Sequence, residues 1–355
     1  MNSDTAARSD RSIRYRMVGE LLTTAYQTVE AGDFAAARAA LERATPLARG
    51  LGAQSLAQVR LAEAVVVQAS GDWDGAAAIL SQVLVDARSR RCPGSVSFQL
   101  SVRVRLGGLL LLQGHVSTAE KVLTEALAAY ELLPFTAPND IARVCLELAF
   151  LGRRTGKWGQ AAAFLDRAHA LLRTAHGPDA PAMAPVWRER SRLKAGLGDA
   201  GAAESAARKA LDIRLTALGA GHLTVATDRS VLAAALVRLG RLGDAEEQLH
   251  RALSTFRKAL GPTHAEVAVT LHNLGGIALH QGHDRSAERF LSEALMIKQK
   301  AHGGTHPDVA DLLEQLAVIQ RKRGEDEAAA ALVARARRIR SGVRSAARKT
   351  RVPSF

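Results

Sequence analysis

At 355 residues, 47% apolar and 23% charged, the chain can bury a substantial core and still carry a polar surface. Aromatics are only 4%, and the apolar content is mostly Ala and Leu, which favours helix and disfavours a β-sandwich. Two distant cysteines, Cys92 and Cys145, argue against a disulfide framework or zinc ribbon, and the net charge of +13 sits unevenly along the chain.

The first residues, 1–11, are polar and without hydrophobic periodicity, so they are expected to be disordered. They contain no apolar core of a signal peptide, and no run anywhere reaches the ~18 apolar residues of a membrane helix. A cytoplasmic location is the expectation. The Ala- and Arg-rich usage also suits a GC-rich bacterial genome.

From about residue 12 to 340 the chain repeats itself. Gly114, Gly156, Gly198, Gly240, Gly282 and Gly324 are each 42 residues apart. Five residues after each comes Ala119, Ala161, Ala203, Ala245, Ala287 or Ala329, and seven further on Ala126, Ala168, Ala210, Ala252, Ala294 or Ala336. Eight residues before the glycine stand Leu106, Leu148, Leu232, Leu274 and Leu316, with Arg190 as the exception. A small residue follows each Leu. Gly32 with Ala37 and Leu41, and Gly71 with Ala76 and Leu80, fit the same frame more loosely, giving eight units. Apolar residues recur at intervals of three and four on both sides of each glycine, so each unit reads as two helices joined by a glycine turn. Neither pair can bury its stripe alone, and the pairs must stack into an all-α solenoid.

The tail, residues 341–355, is basic. After Glu327 there is no acidic residue, while Arg335, Arg337, Arg338, Arg340, Arg344, Arg348, Lys349 and Arg351 contribute +8. It is expected to extend the last helix as a cap and then fray. A contact with nucleic acid or another polyanion could arise only through this segment.

The repeat resembles the tetratricopeptide repeat in its 42-residue, kinesin-light-chain-like form. The Leu-small, Ala-x3-Leu-x2-Ala signature appears as Leu274-Gly275, Ala287, Leu291 and Ala294. The linker pattern appears as Leu218-Gly219-His222-Val225-Ala226 and again as Leu260-Gly261-His264-Val267-Ala268. The early Trp, the Tyr and the closing Pro of the commoner 34-residue form are missing. The resemblance implies a right-handed superhelical solenoid whose first helices line a concave surface.

Four histidines between residues 260 and 283 invite a metal-site reading. His222, His264 and His306, however, share one repeat position, and successive rungs lie roughly 10 Å apart, far beyond one ion's ligand shell. They are expected to be loop or capping residues. GLGDAG at 196–201 and GRRTGKW at 152–158 imitate nucleotide-binding motifs, but Gly198 and Gly156 are repeat-turn glycines and no strand precedes either. No nucleophile–base pattern is present. The expectation is therefore no catalytic residue, no cofactor and no metal.

The resemblance places Arg105, Arg143, Arg154, Arg188, Arg192, Arg238, His272, Asn273 and His280 on the concave face. Forked guanidiniums suit carboxylates or phosphates, unless they are merely solvated or paired with Glu147 and Glu189. Asn273 stands where peptide-binding members of the family clamp a peptide backbone. The expected function is a non-enzymatic scaffold or adaptor for a protein or peptide, expected to be acidic by charge complementarity. The alternative is a peptide-responsive regulator acting on a separate effector chain.

Overall fold

The computed structural model describes residues 2–88 and 95–349; Cys92 lies outside them. Among the described residues there are sixteen α-helices and one short 3-10 turn, with no strand. The helices are α1 (Asn2–Ala31), α2 (Phe34–Leu51), α3 (Ala53–Ala69), α4 (Trp73–Arg88), α5 (Val96–Leu112), α6 (Val116–Leu132), α7 (Pro138–Arg154) and α8 (Trp158–His176). They continue as α9 (Ala184–Gly196), α10 (Ala200–Leu218), α11 (Leu223–Arg238), α12 (Leu242–Leu260), α13 (Ala265–His280), α14 (Asp284–His302), α15 (Pro307–Lys322) and α16 (Asp326–Lys349).

Each odd-numbered helix leads into the next even-numbered one through a repeat glycine. From Gly32 to Gly324 these eight glycines all have φ between +73° and +95°, the left-handed region in which an L side chain is strained. Among the described residues positive φ is confined to glycines, five more of which (Gly52, Gly177, Gly219, Gly261 and Gly303) stand between units. The register alanines are sealed in: Ala119, Ala161, Ala203, Ala245, Ala287 and Ala329 are all fully buried. The small residue after the Leu is there for clearance. A Cβ on Gly107 would stand 2.7 Å from the Leu123 side chain, and one on Gly275 2.6 Å from that of Leu291, so the leucine of the second helix packs into the space the glycine leaves.

The chain forms two compact units, Met1–Val231 and Leu232–Phe355. In the first, helices stack in order, and odd helices also touch one another, α1 on α3, α5 on α7 and α7 on α9. Its core runs through Leu100, Val104, Leu123, Tyr130, Leu148 and Leu172. In the second, α13 packs on α12 and α14, and α15 on α14 and α16. Val309, Leu313, Ala336 and Ile339 close the last pair.

The structure changes two expectations. Helix α1 begins at Asn2, so residues 2–11 are helical in place of the disordered stretch expected. Helix α16 runs past the boundary set at residue 340 to Lys349, the extension of the last helix expected there. Arg340 is no free tail charge either, because it contacts Asp311 and Glu314, each at 2.8 Å. Residues 350–355 lie outside the described residues. The irregular fifth unit keeps its frame through substitutes. A 3-10 turn, Pro181–Met183, precedes the short α9, and Arg190, at the missing Leu, reaches Asp166 at 2.6 Å and lies over the Trp187 ring.

The repeat histidines cap helices. The Nδ1 of His222 accepts from the Thr224 N–H at 3.3 Å, that of His264 from Glu266 at 3.2 Å, and that of His306 from Asp308 at 3.3 Å. Each ring satisfies one orphan donor at the start of a first helix.

Candidate functional site: an arginine-lined cavity

Four odd-numbered helices of the first unit converge on a cavity of about 370 Å³. Gln68 of α3 stands at one side. Helix α5 contributes Arg105 and Gly108, α7 contributes Arg143, Glu147 and Phe150, and α9 contributes Arg188, Glu189 and Arg192. Arg188 and Arg192 are one helical turn apart and so share a face. Four of the expected groove arginines are thus brought together: Arg105, Arg143, Arg188 and Arg192.

Arg154 is not among them. Its Nη1 donates to the Leu111 carbonyl at 2.9 Å and its guanidinium lies over the Phe150 ring, so it closes the α5–α7 seam instead. Arg238, His272, Asn273 and His280 line a separate pocket in the second unit, also of about 370 Å³. That pocket has a floor of Ala233, Ala234, Gly276 and Ile277, and His272 and Gln315 lie within hydrogen-bond distance at 2.9 Å.

The cavity's charges are partly paired. Arg192 bonds Glu189 at 2.5 Å, with Arg153 3.7 Å from the same carboxylate. Arg143 reaches Asp140 at 2.7 Å. Arg188 faces Asp228 at 3.6 Å, and Arg214 approaches the other oxygen of Asp228 at 3.0 Å. The sequence alternatives of pairing and of open guanidiniums thus divide residue by residue. Among the described residues Arg105 and Glu147 make no direct ion pair. Burial lowers the Arg105 pKa from its ordinary value. Burial, followed by the neighbouring Glu189 charge, pushes the Glu147 carboxyl up to about 7, against the pull of Arg105, Arg143 and Arg188.

Asp228 escaped the sequence reading. It is fully buried, and burial raises its pKa against the pull of Arg188, Arg214 and Arg192. The signal was available in the 42-residue register. The equivalent positions are Val102, Val144, Val186, Thr270 and Leu312, so an Asp there stands out. Its partner Arg214 likewise occupies the place of Tyr130, Leu172 and Phe256. A buried ion pair stands where the other repeats have mostly apolar residues, and it engages Arg188 from outside the cavity lining.

Residues 140–216 and 223–300 match the family model described as tetratricopeptide repeat. Over these residues the chain matches tetratricopeptide repeats. No curated protein matches the chain. Among solved structures it is similar to a Podosopora anserina kinesin light chain protein with nearly identical TPR-like repeats. That match has 20% identity and a TM-score of 0.50, covering 59% of this chain and 99% of that one. It is also similar to a Rap protein complexed with Competence and Sporulation Factor, at 12% identity and TM-score 0.61, over 92% of this chain and 98% of that one. The apo quorum sensor NprR from B. thuringiensis matches at 13% identity and TM-score 0.56, over 79% and 75% of the respective chains. These likenesses concern the fold. No helix among the described residues is long and apolar enough to cross a membrane.

Proposed function

We propose that this chain is a non-catalytic interaction scaffold of the cytoplasm that binds a protein or peptide along its odd-numbered helices, with an acidic group of the partner in the arginine-lined cavity. The observation that carries this reading is the convergence of Arg105, Arg143, Arg188 and Arg192 on one cavity lined by two carboxylates, Glu147 and Glu189, with Asp140 and Asp228 pairing Arg143 and Arg188 from outside the lining. Guanidiniums held on packed helices form charge-assisted, forked hydrogen bonds with little ordering cost to the receptor. A fold neighbour solved with a bound factor supports the general mode.

The test is affinity purification from the native cytoplasm after nuclease treatment, comparing the wild type with Arg143→Glu/Arg188→Glu/Arg192→Glu. A protein recovered with the wild type and missing from the variant supports the reading. Equal recovery places binding elsewhere on the chain.

A second reading, a regulator responsive to a peptide, has one observation in its favour. Glu30 near the end of α1 approaches the Nε2 of His222 at 3.9 Å, and Tyr26 is close enough to Arg105 and Arg143 for their charges to act on it. The first helix therefore reaches residues several repeats away and lies near two of the cavity's arginines. A Glu30→Gln variant with altered partner affinity would favour this reading, and an unchanged affinity would count against it.

A further inference from the structure

Glu147 is an unusual wall for a site that receives anions. Its carboxylate rests against the backbone of Gly108, where an added methyl would lie 2.9 Å from Oε2, so α5 blocks retreat in that direction. The charges that bear on it are Arg105 from α5, Arg143 on its own helix α7, and Arg188 and Glu189 from α9. Helices α6 and α8 meet α7 elsewhere through Leu123, Tyr130 and Leu165, and their Glu131 and Arg167 bear on Cys145. An entering anion thus confronts two carboxyls. Glu189 is held directly by Arg192 and Arg153. Among the described residues Glu147 has no such direct partner.

We propose that the cavity takes a carboxylate of its ligand together with one proton from solvent, which Glu147 accepts. The inference rests on the scaffold reading above. The lining carries four guanidiniums and two carboxylates, with Asp140 and Asp228 pairing Arg143 and Arg188 from outside it, and neutralising Glu147 makes the site more positive by one charge. The protonated acid also changes from acceptor to O–H donor, which a ligand carboxylate can use. Burial and the Glu189 charge have already carried Glu147 up to about 7, so proton uptake costs little at neutrality. The same anion held near Glu147 raises its affinity for the proton further, and by linkage the proton raises affinity for the anion.

The test uses a rhodamine-labelled hexa-aspartate peptide, whose carboxylates titrate near 4 and stay ionised from pH 6 to 8. Anisotropy titrations are made with the full chain, the Glu147→Gln variant and the Arg188→Glu/Arg192→Glu variant. The wild-type Kd is expected to rise about tenfold from pH 6 to pH 8. Glu147→Gln is expected to bind as tightly as the wild type at pH 6 and to lose that pH dependence. Calorimetry in two buffers of different ionisation enthalpy should show up to one proton taken up near pH 8 by the wild type and none by the variant. If Glu147→Gln keeps the wild-type pH slope while the arginine variant binds weakly, proton coupling fails and the anion site stands. If the arginine variant binds as well as the wild type, or the wild type does not bind at pH 6, the anion site fails and the coupling with it.

Discussion

The cavity of the first unit and the pocket of the second have the same volume, about 370 Å³, and both are built on odd-numbered helices. Their linings differ in kind. The first is held by charge: four arginines, two carboxylates, and the buried Asp228 behind Arg188. The second is held by packing, with alanines and Gly276 as its floor, His272, Asn273 and Gln315 as neutral polar groups, and Arg238 as its one cation. The repeat provides the concavity in both places, and the positions that vary between repeats decide what each can hold.

The largest expected effect separates these two modes of construction. Asp228→Ala strands Arg214 and loosens Arg188, and losing one partner of a buried pair costs about 3–5 kcal/mol. Chemical denaturation should show this in the transition of the first unit, and acidic-peptide affinity should fall in parallel. A loss of under about 1 kcal/mol would show that Asp228 is not ionised in place.

A second effect belongs to the charged cavity alone. Glu147 is raised to about 7 in the folded chain, against roughly 4.3 when unfolded. Between those values the native state binds more protons than the unfolded one, so stability falls as pH rises and levels off above 7. The drop should be on the order of 3–4 kcal/mol, and Glu147→Gln should remove that component from the pH profile. A profile identical in both proteins would contradict the assigned shift.

The smallest effect sharpens the packing side. Gly275→Ala would drive a methyl to within 2.6 Å of Leu291, an overpacking cost of about 1–3 kcal/mol. Its neighbour Gly276 has nothing within 4 Å of the corresponding position, so Gly276→Ala should be neutral or stabilise helix α13 by up to ~1 kcal/mol. Thermal melting of the two variants should move in opposite directions or, at minimum, differ clearly. Equal shifts would mean that the α13–α14 contact is looser than its backbone spacing.

Much of this was legible because the repeat writes the fold many times over. The glycines with positive φ, the sealed alanines and the capping histidines all stand at positions that recur in the sequence. The four cavity arginines were legible as members of one face. Their partners were not, since Arg154 turning to the Leu111 carbonyl and Arg188 turning to Asp228 depend on side-chain reach across helices. Asp228 and Arg214 were visible in principle, as polar residues in columns that are otherwise mostly apolar. The raised pKa of Glu147 was not visible at all, because burial and Glu189 from α9 cause it.

The most direct test of the central claim is the affinity of labelled hexa-aspartate for three proteins: the wild type, Arg143→Glu/Arg188→Glu/Arg192→Glu, and His272→Ala/Asn273→Ala. Charged hydrogen bonds contribute about 1.5–3 kcal/mol each, so the arginine variant should bind at least ~100-fold more weakly, with a melting curve that shows it folded. The second-unit variant should stay within about twofold of the wild type. Loss of binding in the second-unit variant, with the arginine variant unaffected, would put the acidic partner in the neutral pocket and contradict the account.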